Sequence, residues 1–588
     1  MATLEDSMHQ QKPSIEPGET GEHETFDVVI CGGGLAGLCL ARQLRLNHED
    51  WSILVLDRME RPLPEAEFKV GESTIEVGAY YLATILGLRD HLDNGHLEKF
   101  GLRYFYGNDR SEFGRRGEFG LRTFLPAKTF QISRGRLENR LRELVVEGGA
   151  RLEEGCSVED VQIAAAGALH EVSYRKVDGG AESRVKARWV VDAMGRRRFL
   201  QKKFDLKKDN RRPLNAAWFR VEGAVEVDHF VAGGDTPWHQ RVTDRRWYST
   251  NHLMGPGYWV WLIPLADDKT SVGIVAADDH HPFAEYNTFE KAMSWLERNE
   301  PEVVKFLAGH PTLDFKKLRG YSYSSWKVFS TDRWTCVGEA GLFIDPYYSV
   351  GTNMIGFSNR FTEKMIELDF AGALREDFVD FANRYYLSLN DTLAASIQSA
   401  YSYLNNGRVM VSKTIWDFYV GWGLSDPQFY GETFLDPKVS SVVSSLVAPV
   451  VVAQEKMLRL FEEWAKRTDG DAAAVKYVDY FDHVPTLRDI FVKNLQVSKG
   501  NPNSVINRVR ESVDRIEELA QVIFLLAVED VLPDQAHLFS ARPWLNISAL
   551  SLNSDQWEKD GLFRPLTKPR SVKPLEEEIR RLYCTAAE

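Results

Sequence analysis

The chain has 588 residues, of which 44% are hydrophobic and 27% charged, and its formal net charge is -13. That composition is ordinary for a globular protein, and the length exceeds what a single core supports, so two or more lobes are expected. The acidic balance excludes a general nucleic-acid binder, which needs a basic field.

Residues 1–24 are polar and acidic, with no apolar stretch of the signal-peptide kind, and read as a disordered tail. Residues 26–31, F-D-V-V-I-C, form a short apolar strand. A glycine-rich turn, C-G-G-G-L-A-G, follows, and then a helix through Leu38, Ala41 and Leu44. A second strand, W-S-I-L-V-L-D, ends at Asp57. Residues 120–345 mix strand-like segments with turns, and Y-W-V-W-L-I-P and T-S-V-G-I-V are two neighbouring strand candidates. Beyond about residue 360 apolar residues recur at helical spacing, as in Val505, Val509, Val513, Ile516, Leu519 and Ile523. The most apolar late run, Leu446 to Ala453, is short and carries Pro449, against about 20 residues for a spanning helix, so no membrane segment is expected. Five scattered cysteines (Cys31, Cys39, Cys156, Cys336, Cys584) without a CxxC point to a reducing, cytoplasmic setting. No pair of histidines has metal-ligand spacing, so no metal is expected.

Chemistry starts at the glycine turn. Gly32, Gly34 and Gly37 fit G-x-G-x-x-G. The first allows a tight turn, the second lets backbone approach a pyrophosphate, and the third packs helix on strand. Ala36 sits in the same turn, where the helix N-terminus favours phosphate charge. Asp57, ending the second strand, is placed to accept hydrogen bonds from a ribose. By itself this unit fits NAD as well as FAD.

Two further segments resemble the para-hydroxybenzoate-hydroxylase-like flavoproteins over roughly residues 26–370. They are Q-I-S-R-G-R-L-E with Arg134, and W-V-V-D-A-M-G-R with Asp192 and Gly195. In C-V-G-E-A-G, Glu339 stands where those enzymes carry an aspartate against the ribityl chain. The resemblance implies FAD. The fold it implies is α/β: an FAD-binding Rossmann-like domain of the glutathione-reductase type with an interleaved β-sheet substrate domain, over residues 25–365. A mostly α-helical domain over 366–588 would cap the substrate pocket.

A narrower resemblance is to the FADH2-dependent halogenases, of the phenol and pyrrole type. Trp259, Trp261, Ile263 and Pro264 spell W-x-W-x-I-P, the mark of that family. K-V-G-E-S-T, with Lys69, Glu72 and Ser73, resembles the segment that straps the flavin, with Glu76 in place of a common proline. F-I-D-P-Y-Y-S-V-G fits F-x-x-P-x-x-S-x-G and carries Pro346, Ser349, Val350 and Gly351. By resemblance, that turn holds chloride or bromide on the amides of Val350 and Gly351. Lys99, in L-E-K-F-G-L-R-Y-F, lies where the family has its essential lysine, and Lys69 is the competing lysine. The two tryptophans are implied to wall the flavin from the substrate. Tryptophan halogenases carry a glutamate in the halide turn that assists ring deprotonation, and this chain has Tyr348 there. That departure favours phenols and pyrroles, which need no strong base.

The activity implied is oxidative halogenation of an electron-rich aromatic, free or bound to a carrier protein, of the kind met in secondary metabolism. Reduced FAD would come from a separate flavin reductase, since no second G-x-G-x-x-G is found. An FAD-dependent aromatic hydroxylase and a non-catalytic flavin-bound regulatory protein are the rival readings.

Overall fold

The structure, a computed structural model, describes residues 23–584 apart from 66–68, 108–111, 166, 211, 234–236, 469–474, 476 and 542. The acidic tail therefore lies outside the described residues except for its last two.

The first layer grows from the strand Thr25–Cys31. Ile53–Leu56 and Ser183–Asp192 flank it, both parallel to it. Trp334–Cys336 extends the sheet beyond Ser183–Asp192, and Arg151–Glu153 extends it beyond Ile53–Leu56, again in parallel. Ile53–Leu56 is buried at every position, as expected of a parallel strand covered on both faces. Helix Leu35–Asn47 packs on this sheet and against helices Arg134–Glu147 and Gly351–Phe370.

A second sheet of eight strands has the order Thr312–Leu318, Leu214–Glu222, Lys269–Ala277, Tyr258–Leu265, Thr250–Gly255, Leu102–Tyr106, Gly117–Gly120, Tyr477–Asp479. The two neighbouring strands read from the sequence are Tyr258–Leu265 and Lys269–Ala277, paired antiparallel. Successive side chains of Tyr258–Leu265 point to opposite faces. Trp259, Trp261 and Ile263 enter the main core, whereas Tyr258, Val260 and Leu262 enter a second core under helices Phe289–Asn299 and Pro301–Leu307. Both faces are covered, which is why the run is apolar without alternation.

The C-terminal part is helical, as the spacing indicates. Val505, Val509, Val513, Ile516, Leu519 and Ile523 are the buried stripe of helix Pro502–Val531. Asn501 caps that helix by accepting from the Ser504 amide, and Pro502 occupies its first turn. One finding corrects the sequence reading. Leu446–Ala453 belongs to a continuous 31-residue helix, Pro437–Arg467, with Pro449 inside it. By length and composition this helix could cross a membrane. It buries Val443, Val450, Met457, Phe461 and Trp464 and packs along Pro502–Val531. Cys31, Cys39, Cys156 and Cys336 are buried free thiols.

Candidate active site

Two cavities meet beneath the helical part. The first, about 700 Å³, opens at the carboxyl ends of the parallel strands, where ligands of open α/β sheets bind. The glycine turn forms one wall through Gly32, Gly34 and Ala36. Gly32 has φ +113, and a Cβ there would sit 2.4 Å from the Ala193 carbonyl oxygen. A Cβ at Gly37 would sit 2.0 Å from the Gly32 carbonyl oxygen, so Gly37 lies behind the wall and holds helix against turn. Gly34 is open but for Lys69 Nζ, at 3.3 Å from its would-be Cβ. The turn is a cradle with room for a ligand at its middle glycine. Asp57 lines the cavity, and the buried guanidinium of Arg142 clamps it to the Gly33 carbonyl and to Glu154.

Around this cavity the positive charge is concentrated. Burial raises the Glu339 carboxyl pKa while Arg134, Arg196 and Lys69 pull it down. Arg134 donates to the Val70 carbonyl at 2.6 Å and to Glu138 at 2.5 Å, so it fixes the strap that precedes Glu72 and Ser73. Those cationic groups and the glycine cradle fit the pyrophosphate of a dinucleotide. Gly195, Glu339 and Pro346 complete the lining. Asp192 does not line it. Its buried carboxylate accepts from the amides of Met194 and Leu200 at 3.0 and 2.8 Å, and burial pushes its pKa up to about 6. Asp192 therefore folds the turn that brings Met194 and Gly195 to the wall, a correction to its expected contact with cofactor.

Trp259 and Trp261 stand on this side, each about 1% exposed, with ring centroids 5.7 Å apart. Trp259 donates to Tyr401 at 2.9 Å and Trp261 to Ser271 at 3.1 Å. Gly273 makes room for Trp261, since a Cβ there would sit 2.2 Å from its ring. The turn Pro346–Gly351 also faces this cavity. Ser349 has φ +58 and Val350 is right-handed, so consecutive amides converge at the start of helix Gly351–Phe370. Such a nest, with the unpaired first N–H groups of a helix behind it, suits an anion.

The second cavity, about 1170 Å³, contains Lys99 and shares Val350 and Met354 with the first. Lys99 is 2% exposed. Its Nζ donates to Ser73 Oγ at 2.8 Å and to the Thr74 carbonyl at 2.9 Å. Ser73 lines the first cavity, so this hydrogen bond joins the two chambers. Lys69 lines only the first, so the two lysines belong to different chambers. Burial lowers the Lys99 amine to about 7, against an opposing pull from Glu76.

Sequence reasoning missed the partners on this side. Glu76, seen only as a missing proline, is buried, opens the helix Glu76–Tyr80 and accepts from Trp422 Nε1 at 3.2 Å. Burial raises its pKa. Trp422 is aimed by a π-turn over Gly421–Ser425, a device frequent at functional sites. Tyr348 donates to Asp417 at 2.8 Å, and Ser396 donates to the other Asp417 oxygen at 2.8 Å. Lys413 Nζ bonds both Asp417 and Ser396. Arg220, wholly buried, donates to Glu72 at 2.8 Å, to the Lys69 carbonyl at 2.6 Å and to Asp314 at 2.6 Å. It ties the strap to the second sheet. No spacing rule reaches these residues, because they converge from distant elements.

The comparisons with known proteins agree with this geometry. The family model described as Tryptophan halogenase matches residues 118–391. The flavin-dependent halogenase chlA of Dictyostelium discoideum is 26% identical over 442 residues, covering 70% of this chain and 72% of that protein. A 1H-pyrrole-2-carbonyl peptidyl-carrier-protein brominase of Pseudoalteromonas luteoviolacea is 28% identical over 342 residues, covering 56% of this chain and 75% of the relative. Among solved structures, the halogenase PltM in complex with phloroglucinol and FAD has a TM-score of 0.58 at 16% identity, over 87% of this chain and 98% of that one. The flavin-dependent brominase Bmp2 gives 0.53 at 23% identity, over 65% and 88%. These two likenesses speak to the fold. The expected α/β flavoprotein core with its helical C-terminal part is what the structure has, and the relatives that the chain resembles in sequence are flavin-dependent halogenases and a carrier-protein brominase.

Proposed function

We propose that this chain halogenates an electron-rich aromatic, a phenol or a pyrrole, free or carrier-bound, with FAD in the first cavity and Lys99 delivering the halogen in the second. The observation that carries this reading is the Lys99–Ser73 hydrogen bond between two chambers whose flavin side is walled by Trp259 and Trp261. When bound as FADH2, the cofactor supplies the oxidation of halide by dioxygen: FADH2, O2, X⁻ and H⁺ give FAD, HOX and water. Gly32, Gly34, Asp57, Lys69, Glu72, Arg134 and Glu339 hold the cofactor, and the amides of Val350 and Gly351 hold the halide. A buried ammonium or amine at Lys99 is a compact group to receive HOX and orient it. ArH and HOX then give ArX and water. Asp417, lining the same cavity and neutralised by Lys413, accepts a hydrogen bond from the substrate hydroxyl or pyrrole N–H and raises the ring's electron density. The helical part from residue 366 onward caps the substrate chamber. FADH2 comes from a separate reductase, and the buried free thiols support a cytoplasmic setting.

The test supplies purified protein with FAD, an unrelated flavin reductase, NADPH, bromide and a phenol panel, read by mass spectrometry. Brominated product is expected. Hydroxylated product, or NADPH oxidation by the protein without the reductase, favours the hydroxylase instead. Tight FAD with no product favours a non-catalytic flavoprotein.

Two outcomes follow from the site. A Cβ at Gly351, a residue that lines the cavity, meets no atom outside its own turn within 4 Å. Gly351→Val therefore keeps the wild-type melting temperature but lowers bromination at least tenfold, whereas Ser349→Ala lowers it less, because backbone amides do the binding. Equal losses in both variants would contradict this. The second outcome concerns pH. Burial lowers the Lys99 amine and Glu76 raises it, so the wild-type pH profile has an inflection near 7. In Glu76→Gln only the lowering effect remains, and the inflection moves to lower pH. An unmoved inflection would mean that Glu76 does not act on Lys99.

A further inference from the structure

The chamber that holds Lys99 is larger than one ring requires. Its volume, about 1170 Å³, exceeds the ~300–1000 Å³ of ordinary small-molecule sites. Much of its wall follows one helix. Helix Glu376–Ala400 lines the chamber with Phe378, Phe381, Tyr385, Leu389, Leu393 and Ile397, a single stripe at three- and four-residue spacing. From Phe378 to Ile397 the helix rises about 28 Å. The Ile397 end adjoins Ser396, which bonds Asp417, and the Phe378 end lies beside the exposed Arg375 and Asp377. Val443, Val447 and Val451 of helix Pro437–Arg467 supply further wall. Tyr385, Leu389, Leu393 and Val447 are only half-buried, and Val451 is 60% exposed. Ordinary core packing does not leave such a stripe unfilled. From Tyr385 to Ile397 the helix contributes no charged side chain to the lining.

We propose that this groove receives an aliphatic tail. The substrate is then an electron-rich arene bearing an alkyl or acyl chain, its ring at Lys99 and Asp417 and its chain lying along the Tyr385–Leu389–Leu393 stripe. The uncharged stretch from Tyr385 to Ile397 rises about 18 Å, enough for an extended chain of roughly fourteen carbons. An alkyl chain asks only apolar area of its wall. The pantetheine arm of a carrier protein would set amides against the same apolar stripe, where the helix between Tyr385 and Ile397 offers only the hydroxyls of Ser388, Thr392 and Ser396 to pair with them, and Ser396 is already bonded to Asp417. The apolar stripe therefore favours a free lipophilic arene. The nature of the ring rests on the halogenase reading; the tail does not.

The experiment uses the FAD-loaded, unreduced full chain and 4-alkylresorcinols of two to twelve carbons, with binding followed by calorimetry. Kd is expected to fall about threefold per added methylene until the chain fills the groove. Under turnover, Leu389→Trp and Val447→Trp are expected to lower kcat/KM for the twelve-carbon arene at least tenfold more than for the two-carbon arene. A Kd independent of chain length overturns the proposal, and so does turnover of a carrier-tethered arene with no binding of long free ones. Binding that tightens with chain length but yields no halogenated product keeps the groove and removes the halogenase reading. Halogenation of short arenes without any chain-length effect does the reverse.

Discussion

Lys99→Met is expected to lower halogenated product by two to four orders of magnitude, the span typical of losing a proton-handling group at the reacting centre. Hypohalous acid formation, followed with a soluble scavenger, continues in the variant, because the flavin chamber is lined by other residues. Methionine fills the same buried space without the charge. Its effect on stability has a definite sign. The folded protein releases the Lys99 proton near pH 7, whereas the unfolded chain holds it to about 10.4. Between these values the unfolded state binds more protons, so wild-type stability gains a rising contribution with pH over that window. Lys99→Met removes that contribution, and urea midpoints measured at pH 7 and pH 9.5 report the change. If the variant keeps near-normal product while Lys69→Ala loses it, the catalytic lysine is the one at the strap.

Arg220→Met is expected to cost about 3–5 kcal/mol, the usual penalty for removing one partner from a buried ionic group. Glu72 and Asp314 are left facing one another in the interior without their common cation. Burial already raises the Glu72 carboxyl against the pull of Arg220, so in the variant Glu72 takes up a proton at higher pH. The strap also loses its anchor at the Lys69 carbonyl, and FAD affinity falls at least tenfold. Denaturant titration and flavin fluorescence measure the two effects separately. Unchanged stability would show that the Glu72–Arg220–Asp314 group is not a tie between strap and sheet.

The flavin half was legible because its signals are local. Gly32, Gly34, Ala36 and Asp57 fall within one strand–turn–helix–strand unit, and Trp259 and Trp261 alternate along one strand. Asp192 was misread because a motif gives a residue's place but not the direction of its side chain, and this one turns inward to accept backbone amides. The substrate half was illegible for a different reason. Lys99 bonds Ser73 and feels the charge of Glu76, which accepts from Trp422, and Tyr348 meets Asp417 from another helix. Only tertiary packing brings these together. The periodicity of Val505 to Ile523 identified a core helix but could not say which helices leave a groove between them.

The strand Tyr477–Asp479 closes the outer edge of the second sheet by pairing with Gly117–Gly120, and Asp479 accepts from the Arg122 amide across 357 residues of sequence. During synthesis from the N-terminus, the ladder that contains Trp259 and Trp261 therefore emerges with one border exposed. It stays so until the ribosome has added most of the remaining polypeptide. An open border of this kind invites pairing with other nascent chains, and contacts of such long sequence separation slow folding. Heterologous production should accordingly gain soluble yield from slower translation or added chaperone, and shortening the gene before residue 477 should lose it.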